Sequence, residues 1–290
     1  MTLAGELQRA SGGKAANAAV MARRLGADVV LMGCVGDDEL AEQALRGLRQ
    51  ASIDPSGVRQ RSGNSGLSMI SVLPGGDKGI VLALGANESW DDEAGAVGDA
   101  VAAASPGSVI VLDLEVPPLL VDAAIAGACR PGAAIVVDPS PADRATPDVV
   151  GAADHITPDH REASRITGIG VNTPADGAAA AVELRHRGAG AAYVKLPSGG
   201  CALAWSGGQV FVESPTVEVI DTTGAGDAFA GALAWALLNG SEPPDAAVVA
   251  VAAASCAVGI FGGQASLPSR QALDAMSAQV TVHPMDDVSR

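Results

Sequence analysis

Seven consecutive residues, Asp221-Thr222-Thr223-Gly224-Ala225-Gly226-Asp227, combine small, hydroxylated and acidic types, and an apolar run, Ala228-Phe229-Ala230-Gly231-Ala232-Leu233, follows them. The β-branched stretch 217–220 reads as a strand end before this turn, and residues 228–238 read as an apolar helix after it. A turn in that setting presents unpaired N–H groups at a helix N-terminus, where the helix dipole favours negative charge. Its small residues let a phosphate approach the backbone closely. Asp227 falls in the first helical turn. A carboxylate there caps a helix on the plainest account. Next to a bound phosphate it is also a general base aimed at an acceptor hydroxyl. Two rival phosphate patterns fail. Gly224-Ala225-Gly226-Asp227-Ala228-Phe229 lacks the third glycine of G-x-G-x-x-G, and Ala15 follows Gly13-Lys14 where a P-loop needs Ser or Thr.

The elements that must position this turn show in the alternation of the chain. Residues 28–35, 108–114, 133–138 and 155–157 read as buried strands, and residues 37–51, 118–129 and 174–187 as helices. Repeated strand–helix alternation predicts a mostly parallel sheet covered on both faces. Two stretches depart from it: 66–73 with 79–84, around Pro74-Gly75-Gly76-Asp77-Lys78, and 201–205 with 209–212, around Ser206-Gly207-Gly208, both read as β-hairpins. The apolar run 248–261 is too short to span a bilayer and reads as a buried helix. Residues after about 280 read as frayed.

Composition narrows the function classes. With 290 residues the chain suits one large α/β domain, and with 2% aromatics its core must be built from Ala, Val, Leu and Ile. A net charge of −15 with no basic stripe excludes nucleic acid and anionic membrane as partners. It also opposes any anionic ligand, so a phosphate site must rely on local groups. Cys34, Cys129, Cys201 and Cys256 are scattered without disulfide or zinc spacing, which predicts a reducing cytoplasm. No signal peptide is visible.

A second segment, Gly12-Gly13-Lys14-Ala15-Ala16-Asn17, precedes Gly26 and Gly36, about 200 residues ahead of the first. The two together resemble the N- and C-terminal signatures of the PfkB carbohydrate kinase family. Gly85-Ala86-Asn87, Leu114-Glu115-Val116-Pro117 and Thr157-Pro158-Asp159-His160-Arg161-Glu162 resemble landmarks of its ribokinase branch in the same order. The similarity runs from Ser11 to Pro268.

The resemblance implies a single ribokinase-like three-layer α/β/α sandwich with a small, incomplete β lid, contributed by residues 1–11 and 66–84. It implies an ATP-dependent kinase acting on the hydroxymethyl group of a small sugar, ribose or a related pentose. A nucleoside kinase, or a shortened nucleotide- and sugar-binding protein without turnover, are the alternatives. Asp227 would be the base, and the amides of Gly224, Ala225, Gly226 and Asp227 the anion hole. Gly12, Gly13, Lys14, Asn17 and Glu115 would contact the sugar, with Asp227. Asp159, Lys195, Ser198, Gly199, Gly200 and Gly226 would serve the nucleotide. Glu162 would help hold Mg²⁺, and Asp221, Thr223, Ala257, Ile260, Gly262 and Ser266 would form a loop for K⁺. A homodimer through the lid is also implied.

The sequence departs from the family at three places. Asp159 stands where Asn is usual, and is equally a helix N-cap. Pro197 replaces a glycine and removes an N–H. Eleven residues precede Gly12, where ribokinases carry a first strand, a sugar-gripping Asp and two lid strands. Either a longer chain in the cell or an open sugar site is the expectation.

Overall fold

Strands rich in Val, Ile and Ala bury both faces only when helices cover them, and the chain alternates accordingly. The computed structural model describes residues 9–72, 78–128 and 132–285. Two short parallel strands, β1 (Gly33–Val35) and β2 (Val58–Gln60), form one small sheet, and the antiparallel pair β3 (Leu67–Val72) and β4 (Lys78–Ala83) another. The main sheet has β5 (Val109–Asp113), β6 (Ala134–Asp138), β7 (His155–Ile156), β8 (Ala191–Lys195), β9 (Cys201–Trp205), β10 (Gly208–Glu213) and β11 (Thr281–Pro284), side by side in chain order. Strands β5 to β8 run parallel; β9, β10 and β11 extend the sheet antiparallel.

Helices occupy both faces. They are α1 (Lys14–Arg24), α2 (Glu39–Gln50), α3 (Ala94–Ala102), α4 (Pro118–Ala128), α5 (Pro147–Ala152), α6 (His160–Thr167), α7 (Pro174–His186), α8 (Ala225–Leu238), α9 (Pro243–Ala257), α10 (Gly263–Ser266) and α11 (Arg270–Ser277). Side chains alternate across β6: Ile135 and Val137 join a core with α4, α5 and α7, whereas Val136 points the other way, among Phe229, Leu233 and the apolar residues of α9. This is the three-layer α/β/α sandwich, with its parallel strands at the centre. Small residues set how closely the layers approach. A Cβ at Gly231 of α8 would collide with the Ala18 carbonyl of α1, so these two helices cross nearly backbone to backbone.

Several sequence expectations change here. Of residues 28–35 only Gly33–Val35 pairs, because β2 supplies just three partners; Val30 is 85% exposed. Residues 217–220 form no strand. Ile220 and Asp221 instead donate to the Val258 carbonyl (2.8 and 3.2 Å), which ties them to the end of α9. The helix expected at 248–261 ends at Ala257, leaving Ile260 and Phe261 about half exposed. Residues 281–284 are not frayed but pair with β10. The turn between β3 and β4, residues 1–8 of the lid expected at 1–11, and Cys129 lie outside the described residues.

Candidate active site

The apolar helix α8 starts three residues earlier than its hydrophobic run suggests, at Ala225, with Gly224 as N-cap. Gly224 has φ 79°, and the Ala228 N–H closes the first helical hydrogen bond onto its carbonyl (2.8 Å). The Gly226 and Asp227 amides therefore have no intrahelical acceptor, the arrangement by which a helix N-terminus can bind an anion. The Ala225 amide is turned back onto the Thr222 carbonyl (3.3 Å), which takes it out of the four amides expected for the anion hole.

Asp227 is buried in that first turn. Its Oδ2 accepts a hydrogen bond from Asn17 Nδ2 at 2.6 Å, which links α1 to α8 across the cleft. Burial pushes the Asp227 carboxyl up to about 6, against the opposing pull of Lys14 and the Asn17 hydrogen bond. Such a carboxylate is a stronger base than a solvated one, yet mostly ionised at neutral pH. Asn17 Oδ1 is buried and lacks a hydrogen-bond partner among the described residues, an acceptor left over for a ligand hydroxyl.

Lys14, the first residue of α1, reaches Asp138 Oδ2 at 3.5 Å. Burial alone would lower its pKa, but Asp138, Asp227, Glu115 and Glu162 together raise it above the ordinary lysine value. Lys195 is not the surface lysine that a strand-end position suggests. Its Nζ lies 3.7 Å from Asp138 Oδ1 and 5.7 Å from the Phe229 ring centroid. A Cβ built on Gly226 would sit 3.5 Å from that ammonium, which places it at the amides of α8.

Asp138 and Asp113 are the functional candidates that the motifs missed. Each ends a parallel strand, and they are register partners across β5 and β6. The carboxyl ends of parallel strands are where open α/β sheets place their ligands, and the signal was present in Val-Ile-Val-Leu-Asp113 and Ala-Ile-Val-Val-Asp138. Burial raises the Asp113 pKa. Glu115, two residues on, is pushed up to about 7, chiefly by burial and against Lys14, with Asp113, Asp227 and Asp138 adding to the rise. Its loop is clamped by Arg144, which donates to the Leu114 and Val116 carbonyls (3.1 and 2.9 Å) and to Glu88 Oε1 (2.8 Å).

Asp159 is a full N-cap. Its carboxylate accepts from the Arg161 and Glu162 amides, while Glu162 Oε2 accepts from the Asp159 amide (2.8 Å), forming a capping box on α6. The Lys195 amide donates to the Pro158 carbonyl, which brings this cap beside β8. Burial raises the Glu162 pKa against the pull of Lys195, and Asp138 and Asp159 add to the rise. Pro197-Ser198-Gly199-Gly200 is the turn between β8 and β9, closed by the Leu196 amide onto the Gly200 carbonyl. Asp221 joins two loops, accepting from the Thr223 amide and hydroxyl and from the Gly262 amide (3.0 Å).

One cleft of about 3690 Å³ takes in Gly12, Gly13, Lys14, Asn17, Glu115, Asp159, Glu162, Lys195, Ser198–Gly200, Asp221, Thr223, Gly224–Asp227 and Gly262. That is several times the volume of about 300–1,000 Å³ usual for one small-molecule site. The excess runs along the edge of β5 and past residues 28–35, where the sheet stops. Of the expected K⁺ loop, Ala257, Ile260 and Ser266 do not line the cleft.

Comparison with known proteins identifies the family. Residues 1–270 match the family described as pfkB family carbohydrate kinase. The chain is 32% identical to a ribokinase from Haemophilus influenzae over 272 residues, 93% of this chain and 88% of that one. It is 31% identical to a deoxyribokinase from Salmonella typhi over 261 residues, 89% and 84% of the two chains. The structure of Arabidopsis thaliana ribokinase complexed with ribose and ATP superposes with a TM-score of 0.83 at 25% identity, covering 96% of this chain and 90% of the other.

Proposed function

The chain belongs to the pfkB family of carbohydrate kinases and is an ATP-dependent sugar kinase, and from that premise we propose that its acceptor is the hydroxymethyl group of a pentose, ribose or 2-deoxyribose. The observation that carries the proposal is the first turn of α8: a buried carboxylate of raised pKa, two outward amides and the Lys195 ammonium meet there. The ribokinase and deoxyribokinase relatives support a pentose over a nucleoside.

In this mechanism Asp227 takes the proton from the sugar hydroxyl as that oxygen attacks the γ-phosphorus of ATP, and the β–γ bridging bond breaks to release ADP. The Gly226 and Asp227 amides stabilise the charge on the transferring group, each such donor being worth roughly 3–4 kcal/mol in the transition state. Asn17 fixes the Asp227 carboxylate through its Nδ2 and offers its Oδ1 to the sugar. Glu115, Gly12 and Gly13 complete the acceptor side. Ser198, Gly199 and Gly200 face the nucleotide.

The Glu162 carboxylate, a hard-oxygen group that lines the cleft within the field of Lys195, fits a Mg²⁺ ion near the phosphates. Bound there, Mg²⁺ would neutralise charge on the polyphosphate. The Asp221 carboxylate, which joins the Thr223 and Gly262 amides, is the hard-oxygen group that would hold a K⁺ ion at the turn leading into α8. Free Cys34, Cys201 and Cys256 suit the cytoplasm. Among the described residues no helix is long and apolar enough to cross a membrane. Leu67, Met69, Ile80 and Val81 of the β3–β4 hairpin are more than half exposed, which supports a homodimer through this lid.

The test is ADP release with Mg²⁺ and K⁺ across ribose, 2-deoxyribose, fructose and adenosine, with the product read by phosphorus NMR. Pentose-dependent release and a phosphate on the hydroxymethyl carbon are expected. Preference for adenosine, or ATP binding without any acceptor turnover, would overturn the proposal.

A further inference from the structure

Asp138 faces two ammonium groups at once. Lys14 stands 3.5 Å from one of its oxygens and Lys195 3.7 Å from the other. The carboxylate is 4% exposed and sits at the end of β6, directly after the fully buried Val136 and Val137. It is therefore a fixed post, whereas both lysines are long side chains arriving from other elements. Closed charge-assisted pairs are about 2.7–2.9 Å long, so neither contact is closed. Oδ1 has no hydrogen bond at all among the described residues. A buried pair retained for stability needs good geometry and satisfied oxygens; this arrangement has neither. Two cations that converge on one cleft also repel each other, and a single anion between them offsets that repulsion.

The lysines point where the chemistry is. The Lys195 ammonium lies against Gly226, and the charge of Lys14 acts directly on Asp227. We propose that Asp138 is a positioning residue for phosphoryl transfer: a rigid counter-ion that holds the Lys14 and Lys195 ammonium groups beside the first turn of α8 and yields them to the incoming polyphosphate. No bond to Asp138 forms or breaks. Its charge limits how far the two cations move, so that they close on the transferring group rather than on the carboxylates around it. In the empty protein it competes with the nucleotide for the same cations.

This inference rests on the kinase function proposed above and makes a separable demand: binding and turnover must move in opposite directions. Asp138→Asn keeps the shape and removes the charge. In the full chain, calorimetry with the Mg²⁺ complex of adenylyl imidodiphosphate is expected to give a Kd several-fold lower than wild type. Ribose-dependent kcat is expected to fall roughly 30-fold as the cations lose their aim. In a Lys14→Met/Lys195→Met chain, Asp138→Asn should change neither quantity. Asp138→Glu serves as second variant should the Asn protein not fold; it keeps the charge, so Kd holds while kcat drops. A Kd that weakens along with kcat, or the same changes in the chain lacking both lysines, would overturn the inference. Absence of ribose turnover in wild type sinks the proposed acceptor instead, and the Kd comparison, which needs no turnover, still decides the role of Asp138.

Discussion

The two sides of the cleft are built differently. On the phosphate side, Asp227, Asp138 and Lys195 issue from α8, β6 and β8, elements whose neighbouring residues are almost wholly buried. On the acceptor side stand two separate two-stranded sheets, the exposed Gly12 and Gly13, and a Glu115 loop held by one arginine. Two-stranded sheets are marginal by themselves, and regions of low packing open first. The contrast teaches a division of labour. Transfer of a phosphoryl group needs fixed dipoles and charges, which on the proposed function the core supplies. On the proposed function, acceptor choice falls to the less densely packed elements.

The largest expected effect tests the rigid side. Asp227→Asn should lower kcat roughly 10³-fold while leaving ATP binding nearly intact, read by steady-state kinetics and calorimetry. Equal turnover in that variant would refute the base. The same substitution should stabilise the fold. The Asp227 pKa is raised from 3.8 to about 6 in the folded chain. The folded state thus holds this proton more tightly than the unfolded state, and that stability, present below about pH 4, is lost as pH rises through about 6. At pH 8 the ionised carboxylate costs on the order of 3 kcal/mol. Thermal melts should show Asp227→Asn more stable than wild type at pH 8 and no more stable at pH 4.

A smaller effect is expected from the clamp on the acceptor side. Arg144→Met frees the Leu114 and Val116 carbonyls and so loosens Glu115. The sugar KM should rise about tenfold with the ATP KM unchanged. A parallel rise in both would erase the distinction between the two sides. The smallest effect belongs to the hairpin. Met69 and Val81 are register partners, 61% and 63% exposed. Changing both to Ser should alter monomer stability by no more than about 0.5 kcal/mol, yet shift sedimentation towards the monomer if the lid is a dimer surface.

The same division explains what the sequence made legible. The strands at 109–113 and 134–138, the helices around them and the Gly-Ala-Gly-Asp turn were readable because local pattern and tertiary demand agree there. Residues 28–35 misled because an apolar run carries strand propensity without saying whether a neighbour exists, and here one does for three residues only. Residues 217–220 misled for the same reason, their hydrogen bonds going to the end of α9. Asp138 and the orientation of Lys195 were hidden because their meaning lies in convergence across strands 57 positions apart, which no local spacing records.

The crowd of carboxyls around Lys14 also makes the cleft a proton reservoir. Glu115 at about 7 and Asp227 at about 6 are each partly protonated near neutral pH. A polyphosphate entering beside them, and drawing Lys14 away, raises both values further, so binding takes up protons from solution. The heat of nucleotide binding should therefore vary with the ionisation enthalpy of the buffer, more positive where the buffer gives up its proton at greater enthalpic cost, and the slope of that dependence counts the protons the site has captured.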